Sequence, residues 1–164
     1  MTENEQELTF KNWLGLYKGL IFKVVRAYAF TTMDQEDLFQ EITVQVWHSI
    51  PSFRQESQVT TWIYRISLNT AIKWNKKERK HDPTTSLDLL AHTLQERSVH
   101  IDERLTWLYE EIYKLDEIDR SVCLLLLDDF SYKEIANILG ITESHVGVKI
   151  NRIKKYLTTK TKKL

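Results

Sequence analysis

Four glycines and two prolines are all that interrupt 164 residues, and this scarcity constrains the chain more than any other feature. Sandwiches and barrels need turn signals about every 8–12 residues, and those turns draw on glycine and proline. An all-α fold is therefore expected. The longest uninterrupted apolar run, residues 122–127, is far short of the roughly 20 residues of a membrane span. The opening stretch, MTENEQELTF, is acidic and polar where a secretory signal is basic and then apolar. One cysteine, Cys123, excludes an internal disulfide framework and a cysteine-rich zinc site. A soluble, cytoplasmic, helical protein is the expectation.

Twenty-three basic side chains balance twenty-three acidic ones, yet the charge is segregated. Residues 70–80, TAIKWNKKERK, carry a net +4, and residues 141–164 carry +6. Between them, residues 81–130 carry −8. Two basic patches around an acidic middle suit two separate contacts with a polyanion, because cation clusters release counterions when they meet phosphate. Solvated helix ends, where cations complement the macrodipole, account for the same pattern.

Residues 7–30 read as a helix, with Leu8, Trp13, Leu16, Leu20, Val24 and Ala27 at spacings near three and four. Asp34 is the expected cap of a second helix, residues 35–50, which Pro51 stops. A third starts near Gln58 and runs through Trp62, Ile63, Ile66 and Ile72 into the basic cluster. The segment HDPTTS at 81–86 is the clearest linker, followed by a weak helical pattern at 87–97. Helical periodicity resumes near Asp102. The expected organisation is a first domain over 1–80, a linker over 81–102 and a second domain over 103–164.

The second domain ends in SYKEIANILGITESHVGVKINRIKKYL. Ser131 and Glu134 form a capping box, and Gly140 sits where a helix end needs a left-handed residue. Thr142 caps a second helix whose Val146, Ile150, Ile153 and Leu157 fall within about 60° of one another. The opposite side presents Ser144, His145, Val148, Asn151, Arg152 and Lys155. Helix, tight turn and helix with a basic outer face is the geometry that lays a recognition helix in the major groove. Val148 suits a thymine methyl, and Ser144 or His145 a base edge, while Lys149, Arg152 and Lys155 suit phosphates. Two helices of an ordinary bundle are the plain alternative. Gly147 inside the helix costs about 1 kcal/mol relative to alanine; close approach to DNA and simple tolerance both account for it.

In the first domain, DQEDLFQEITVQVWHSIPSFR places Leu38, Ile42, Val46 and Ile50 on one side of a helix. Asp37, Glu41, Val44 and His48 line another side, with Gln40 at its margin. The following SQVTTWIYRISLNTAIKWNKKERK interleaves aromatic, Asn and basic residues, which suits single-stranded nucleic acid: rings stack on bases while cations hold the backbone. Core packing of Trp62 and Trp74 is the competing account.

The combination resembles the bacterial sigma-70 family, specifically the two-domain extracytoplasmic-function (ECF) type of RNA polymerase sigma factor. The likeness rests on DLFQE (37–41) with Trp47, on the run from Phe53-Arg54 through Thr61-Trp62-Ile63 to Asn69, on KKERK, and on residues 115–127 and 130–157. It covers roughly residues 8–80 and 103–158. The resemblance implies a transcription initiation factor, not an enzyme, that binds core RNA polymerase, directs it to promoters and assists melting. It makes Asp37, Gln40, Glu41, Val44 and His48 polymerase contacts. It assigns Ser57, Gln58, Val59, Trp62, Asn69, Lys73, Lys76, Lys77 and Lys80 to the −10 element, with one base flipped into a pocket near Gln58, Val59 and Asn69. It assigns Ser144, His145, Val148, Lys149, Arg152 and Lys155 to the −35 element, and implies an anti-sigma partner and no cofactor. Lys73 stands where many relatives carry an acid, and Lys149 where they often carry arginine.

No phosphate-binding glycine loop, His-Glu zinc motif or serine-nucleophile signature is present, and the five histidines are scattered. Asp128-Asp129 reads as a solvated turn rather than a metal site, and Cys123 as a small buried hydrophobe. The rival reading is a non-sigma helix-turn-helix regulator whose first domain dimerises or binds a ligand. A third is an interaction module whose basic surfaces meet acidic proteins.

Overall fold

The computed structural model describes residues 1–81 and 102–162. Seven α-helices and one 3-10 turn lie among those residues, without a strand. The chain divides into two compact units, Met1–Asp102 and Glu103–Leu164. The weak helical pattern at 87–97 lies outside the described residues, as does the expected linker apart from its end residues His81 and Asp102.

Helix α1, Glu3–Tyr28, begins four residues earlier than the apolar pattern predicts, because Thr2 and Glu5 form a capping box. The Thr2 amide donates to Glu5 Oε2 at 2.6 Å and the Glu5 amide to Thr2 Oγ1 at 3.3 Å. Two members of the expected apolar stripe, Leu8 and Leu16, are 72% and 66% exposed. Eight-residue steps drift by about 80° around a helix, and these two have rotated off the face that buries Ile21, Val24 and Tyr28. Helix α2, Thr32–Ser49, is capped by Thr31, whose Oγ1 accepts from the Asp34 amide at 3.1 Å. Thr31 therefore takes the capping role expected of Asp34. Leu38, Ile42, Val46 and Ile50 form the buried face of this segment, and Pro51 sits in the 3-10 turn Ile50–Ser52 that ends it. A loop with Gln55 at φ 59° leads into α3, Val59–His81. Ile63, Tyr64, Leu68, Ala71 and Trp74 of α3 complete the first core.

The second unit is organised around α5, Glu117–Leu127, with α4, Glu103–Tyr113, before it. Every residue of α5 from Asp119 to Leu125 is buried, which marks it as the central helix of the unit. Arg120, 1% exposed, donates from Nη2 to the carbonyls of Tyr113 at 2.8 Å and Leu115 at 2.9 Å. One guanidinium thus satisfies carbonyls at the end of α4, where a cation also suits the helix dipole. At the far end of α5, Asp129 adopts φ 61° and the Phe130 amide reaches back to the Leu125 carbonyl at 3.1 Å. Asp128 and Asp129 therefore form a helix C-terminus. Helix α6, Tyr132–Leu139, and helix α7, Glu143–Thr161, follow. Among the described residues no helix is long and apolar enough to cross a membrane.

Candidate functional site

On α2, Asp37, Gln40, Val44 and His48 are exposed and Glu41 is half-buried. All five fall within about 100° of one another, on the side opposite Leu38, Ile42 and Val46. The site residues expected there do form one surface. Asp37 has a second attachment that the sequence pattern does not reveal: its Oδ2 accepts the indole N–H of Trp74 on α3 at 2.9 Å. Trp74 itself is 5% exposed and belongs to the core, so the packing account holds for that tryptophan.

Trp62 is half-buried and sits in a three-ring cluster. Its ring centroid lies 5.4 Å from that of Trp13 and 5.1 Å from that of Phe53, and Trp13 and Phe53 are 5.2 Å apart. The cluster ties α1 and α3 to the start of the loop that carries Ser57 and Gln58, both exposed, and delivers half-buried Val59 to the first position of α3. Farther along α3, Asn69, Lys73, Lys76 and Lys77 are exposed. With Trp62 they span about 100° of the helix surface, a ring at one end and cations at the other, over about 22 Å of rise. The side chain of Lys80 lies outside the described residues. Exposed Arg65 borders the same stripe; three-and-four spacing to Trp62 and Asn69 is the signal that marks it.

In the second unit the helix-turn-helix forms as the motif predicts. The Ser131 amide donates to Glu134 Oε2 at 2.7 Å, and the Glu134 amide to Ser131 Oγ at 3.1 Å. Gly140 ends α6 at φ 69°, and Thr142 Oγ1 accepts from the His145 amide at 3.1 Å to start α7. Val146, Ile150 and Ile153 are buried; Ser144, His145, Val148, Asn151, Arg152 and Lys155 are exposed.

Lys149 departs from its expected role. Its side chain is 10% exposed and its Nζ lies 2.7 Å from Oδ1 of Asp119 on α5. The lysine lies about 60° from the buried seam of α7, where a buried carboxylate takes it up, so it is not displayed to a phosphate. Arg152 donates to the other oxygen of Asp119 and lies 3.9 Å from Asp116, yet its side chain remains 60% exposed. Burial alone pushes the Asp119 carboxyl up, but the hydrogen bonds and charges of Lys149 and Arg152 outweigh it and hold the group below the ordinary carboxylate range. Tyr156, farther along α7, donates to Glu111 on α4 at 2.8 Å, and Lys114 donates to the other oxygen of Glu111. Burial first, then that bond, pushes the Tyr156 hydroxyl up to about 12. Among the described residues no cluster of His, Cys, Asp and Glu is arranged to hold a metal. Two exposed helix faces, on α3 and α7, each combine cations, an amide and an apolar group.

Each of the two units carries a match to a known protein family. Sigma-70 region 2 matches residues 13–81, and Sigma-70, region 4 matches residues 105–157. The chain is similar to the RNA polymerase sigma factor YlaC of Bacillus subtilis, with 30% identity over 133 residues that cover 75% of this chain and 77% of the relative. It is 26% identical over 162 residues to the ECF RNA polymerase sigma-E factor of Escherichia coli, covering 90% and 84% of the two chains. Among solved structures, RpoE in complex with the anti-sigma factor NepR from Bartonella quintana has the same fold, with a TM-score of 0.76 at 18% identity over 94% of this chain and 97% of that one. CnrH in complex with the cytosolic domain of CnrY gives 0.68 at 20% identity, covering 95% and 89%.

Proposed function

Because this chain belongs to the sigma-70 family of RNA polymerase sigma factors, in its ECF class, we infer that it is a transcription initiation factor. It binds core RNA polymerase, directs it to specific promoters and assists their opening. The observation that carries this is the succession, in one chain, of a region 2 match and a region 4 match. A helix-turn-helix regulator acting alone is not favoured, because its dimerisation or ligand domain would have to occupy the unit that matches region 2.

The family likeness suggests a division of labour, and the charge and exposure of the residues support it. Residues 1–80 take polymerase and the −10 element, and residues 103–164 take the −35 element. Gln40, Glu41, Val44 and His48 on α2, with Asp37 at their edge, meet polymerase, where complementary charge chiefly sets encounter rate and specificity. Trp62, Asn69, Lys73, Lys76, Lys77 and Lys80 follow the opened strand as a stacking platform and a cationic rail. Ser57, Gln58 and Val59 approach an unstacked base, whose extraction costs a few kcal/mol. Ser144, His145 and Val148 face −35 base edges, with Arg152 and Lys155 on phosphates. An anti-sigma factor is the regulatory partner, supported by the complexes in which the solved relatives occur. The protein acts in the cytoplasm, carries no catalytic residue and needs no cofactor.

The test is co-purification with bacterial core RNA polymerase. Wild type is expected to bind, and a Gln40→Ala, Glu41→Ala double variant, which leaves the Asp37–Trp74 bond intact, to lose binding while keeping native circular dichroism. Well-folded wild type that ignores polymerase overturns the assignment.

A further inference from the structure

Ser144, Val148, Asn151 and Lys155 lie within about 60° of one another around α7, and all four are exposed. They centre on the side opposite buried Val146, Ile150 and Ile153. From Ser144 to Asn151 the helix rises about 10.5 Å, close to the width of a major groove, about 12 Å. On one flank Lys149 is buried against Asp119, and the Arg152 guanidinium is drawn toward Asp119 and Asp116 while its side chain stays 60% exposed, at the margin of the face. The middle of the face is thereby left to an apolar side chain, Val148, and a carboxamide, Asn151.

Asn151 is a weak helix former in the interior of a helix, where its side chain competes with the backbone for hydrogen bonds. Among the described residues no hydrogen bond or ion pair engages its carboxamide, so nothing in the packing of the unit calls for it. A carboxamide presents an acceptor and a donor side by side. That pair matches adenine, whose major-groove edge offers the N6 amino donor beside the N7 acceptor. Guanine offers two acceptors there, so the amide oxygen would face O6 without a proton between them.

We propose that Asn151 reads an adenine in the −35 element, with Val148 packed on the methyl of a neighbouring thymine. This rests on the DNA-reading function inferred above and adds to it a base and the residue that selects it.

The experiment assembles holoenzyme from core polymerase and the full-length chain and selects from duplexes randomised across the −35 element. Wild type is expected to enrich adenine at one position by roughly 5- to 150-fold. Asn151→Ala is expected to erase that preference and leave the others, with thermal denaturation confirming the fold. Val148→Ala is expected to weaken a thymine preference at an adjacent position. If the adenine preference survives Asn151→Ala, or if that variant weakens all sequences equally as loss of a phosphate contact would, the proposal is overturned. If wild-type holoenzyme enriches no sequence at all, the DNA-reading function fails, and the proposal with it.

Discussion

Lys149 and Asp119, thirty residues apart in sequence, meet with 2.7 Å between Nζ and Oδ1 and are both nearly sealed from solvent. A recognition helix is thus anchored to the central helix of its unit through a charge that would otherwise be a natural DNA contact. Burying such a pair is expensive, and its attraction offsets the desolvation only while both partners are present.

Removing one partner is therefore expected to be severe. Asp119→Ala leaves the Lys149 ammonium buried without its carboxylate and should destabilise the second unit by about 3–5 kcal/mol. A paired Asp119→Leu, Lys149→Met variant should recover much of that loss. Hydrogen exchange of α7 amides in the full-length protein measures both. Equal damage from the single and the paired variant would contradict the account.

Acid should act through the same unit. The Asp119 and Glu111 carboxyls both titrate below their ordinary values of 3.8 and 4.5. For each, burial opposes ionisation, and hydrogen bonds from Lys149 and Arg152, or from Lys114 and Tyr156, outweigh it. The unfolded chain then binds protons at a pH where the folded one does not, so stability rises with pH in that interval. Stability should be flat from pH 7 to about 5 with respect to these groups and fall as pH drops through 4.5 and 3.8 toward the folded values. Urea titrations at stepped pH check this, and Asp119→Asn should flatten part of the slope.

Gly147 offers a separation of stability from binding. A Cβ added there meets the Tyr132 ring at 3.7 and 4.0 Å, which is ordinary contact. Gly147→Ala should stabilise the unit by up to about 1 kcal/mol through helix propensity, raising the midpoint of thermal unfolding. If DNA binding by the holoenzyme falls while stability rises, the glycine serves close approach to the duplex; if both hold or rise, it is merely tolerated.

Cys123 is buried in α5, and burial, with the Asp119 charge adding, pushes its thiol up to about 11. Only the thiolate reacts readily with a disulfide reagent. Native protein at pH 8 is expected to resist such a reagent, and protein in denaturant to react fully. Rapid labelling of the native chain would show that α5 opens on the experimental timescale.

Local signals in the sequence translated well into structure where the physics is local. Ser131 with Glu134, Gly140 and Thr142 each fix their own turn, and each stands in its expected conformation. Thr2 with Glu5 is the same device, but no apolar periodicity follows closely enough to draw attention to it, so α1 begins earlier than its pattern. Leu8 and Leu16 satisfy helical spacing pairwise, yet the seam is a property of the whole helix, and they lie off it. What the sequence could not reveal are partnerships across distance. The indole of Trp74 finds Asp37 across thirty-seven residues, and Lys149 finds Asp119 across thirty. A lysine on a basic helix reads as a phosphate contact until the acid opposite it is known.

The outward stripe of α7 has a consequence for evolution. Ser144, Val148 and Asn151 stand exposed, while the helix is held by Val146, Ile150, Ile153 and the Asp119 anchor. Substitutions at exposed positions of this kind usually change stability by less than about 0.5 kcal/mol. If these exposed residues choose the bases as proposed, regulatory address and architectural integrity are written in different residues of one helix, and exchanging a few letters would retarget the genes controlled without endangering the fold that delivers them.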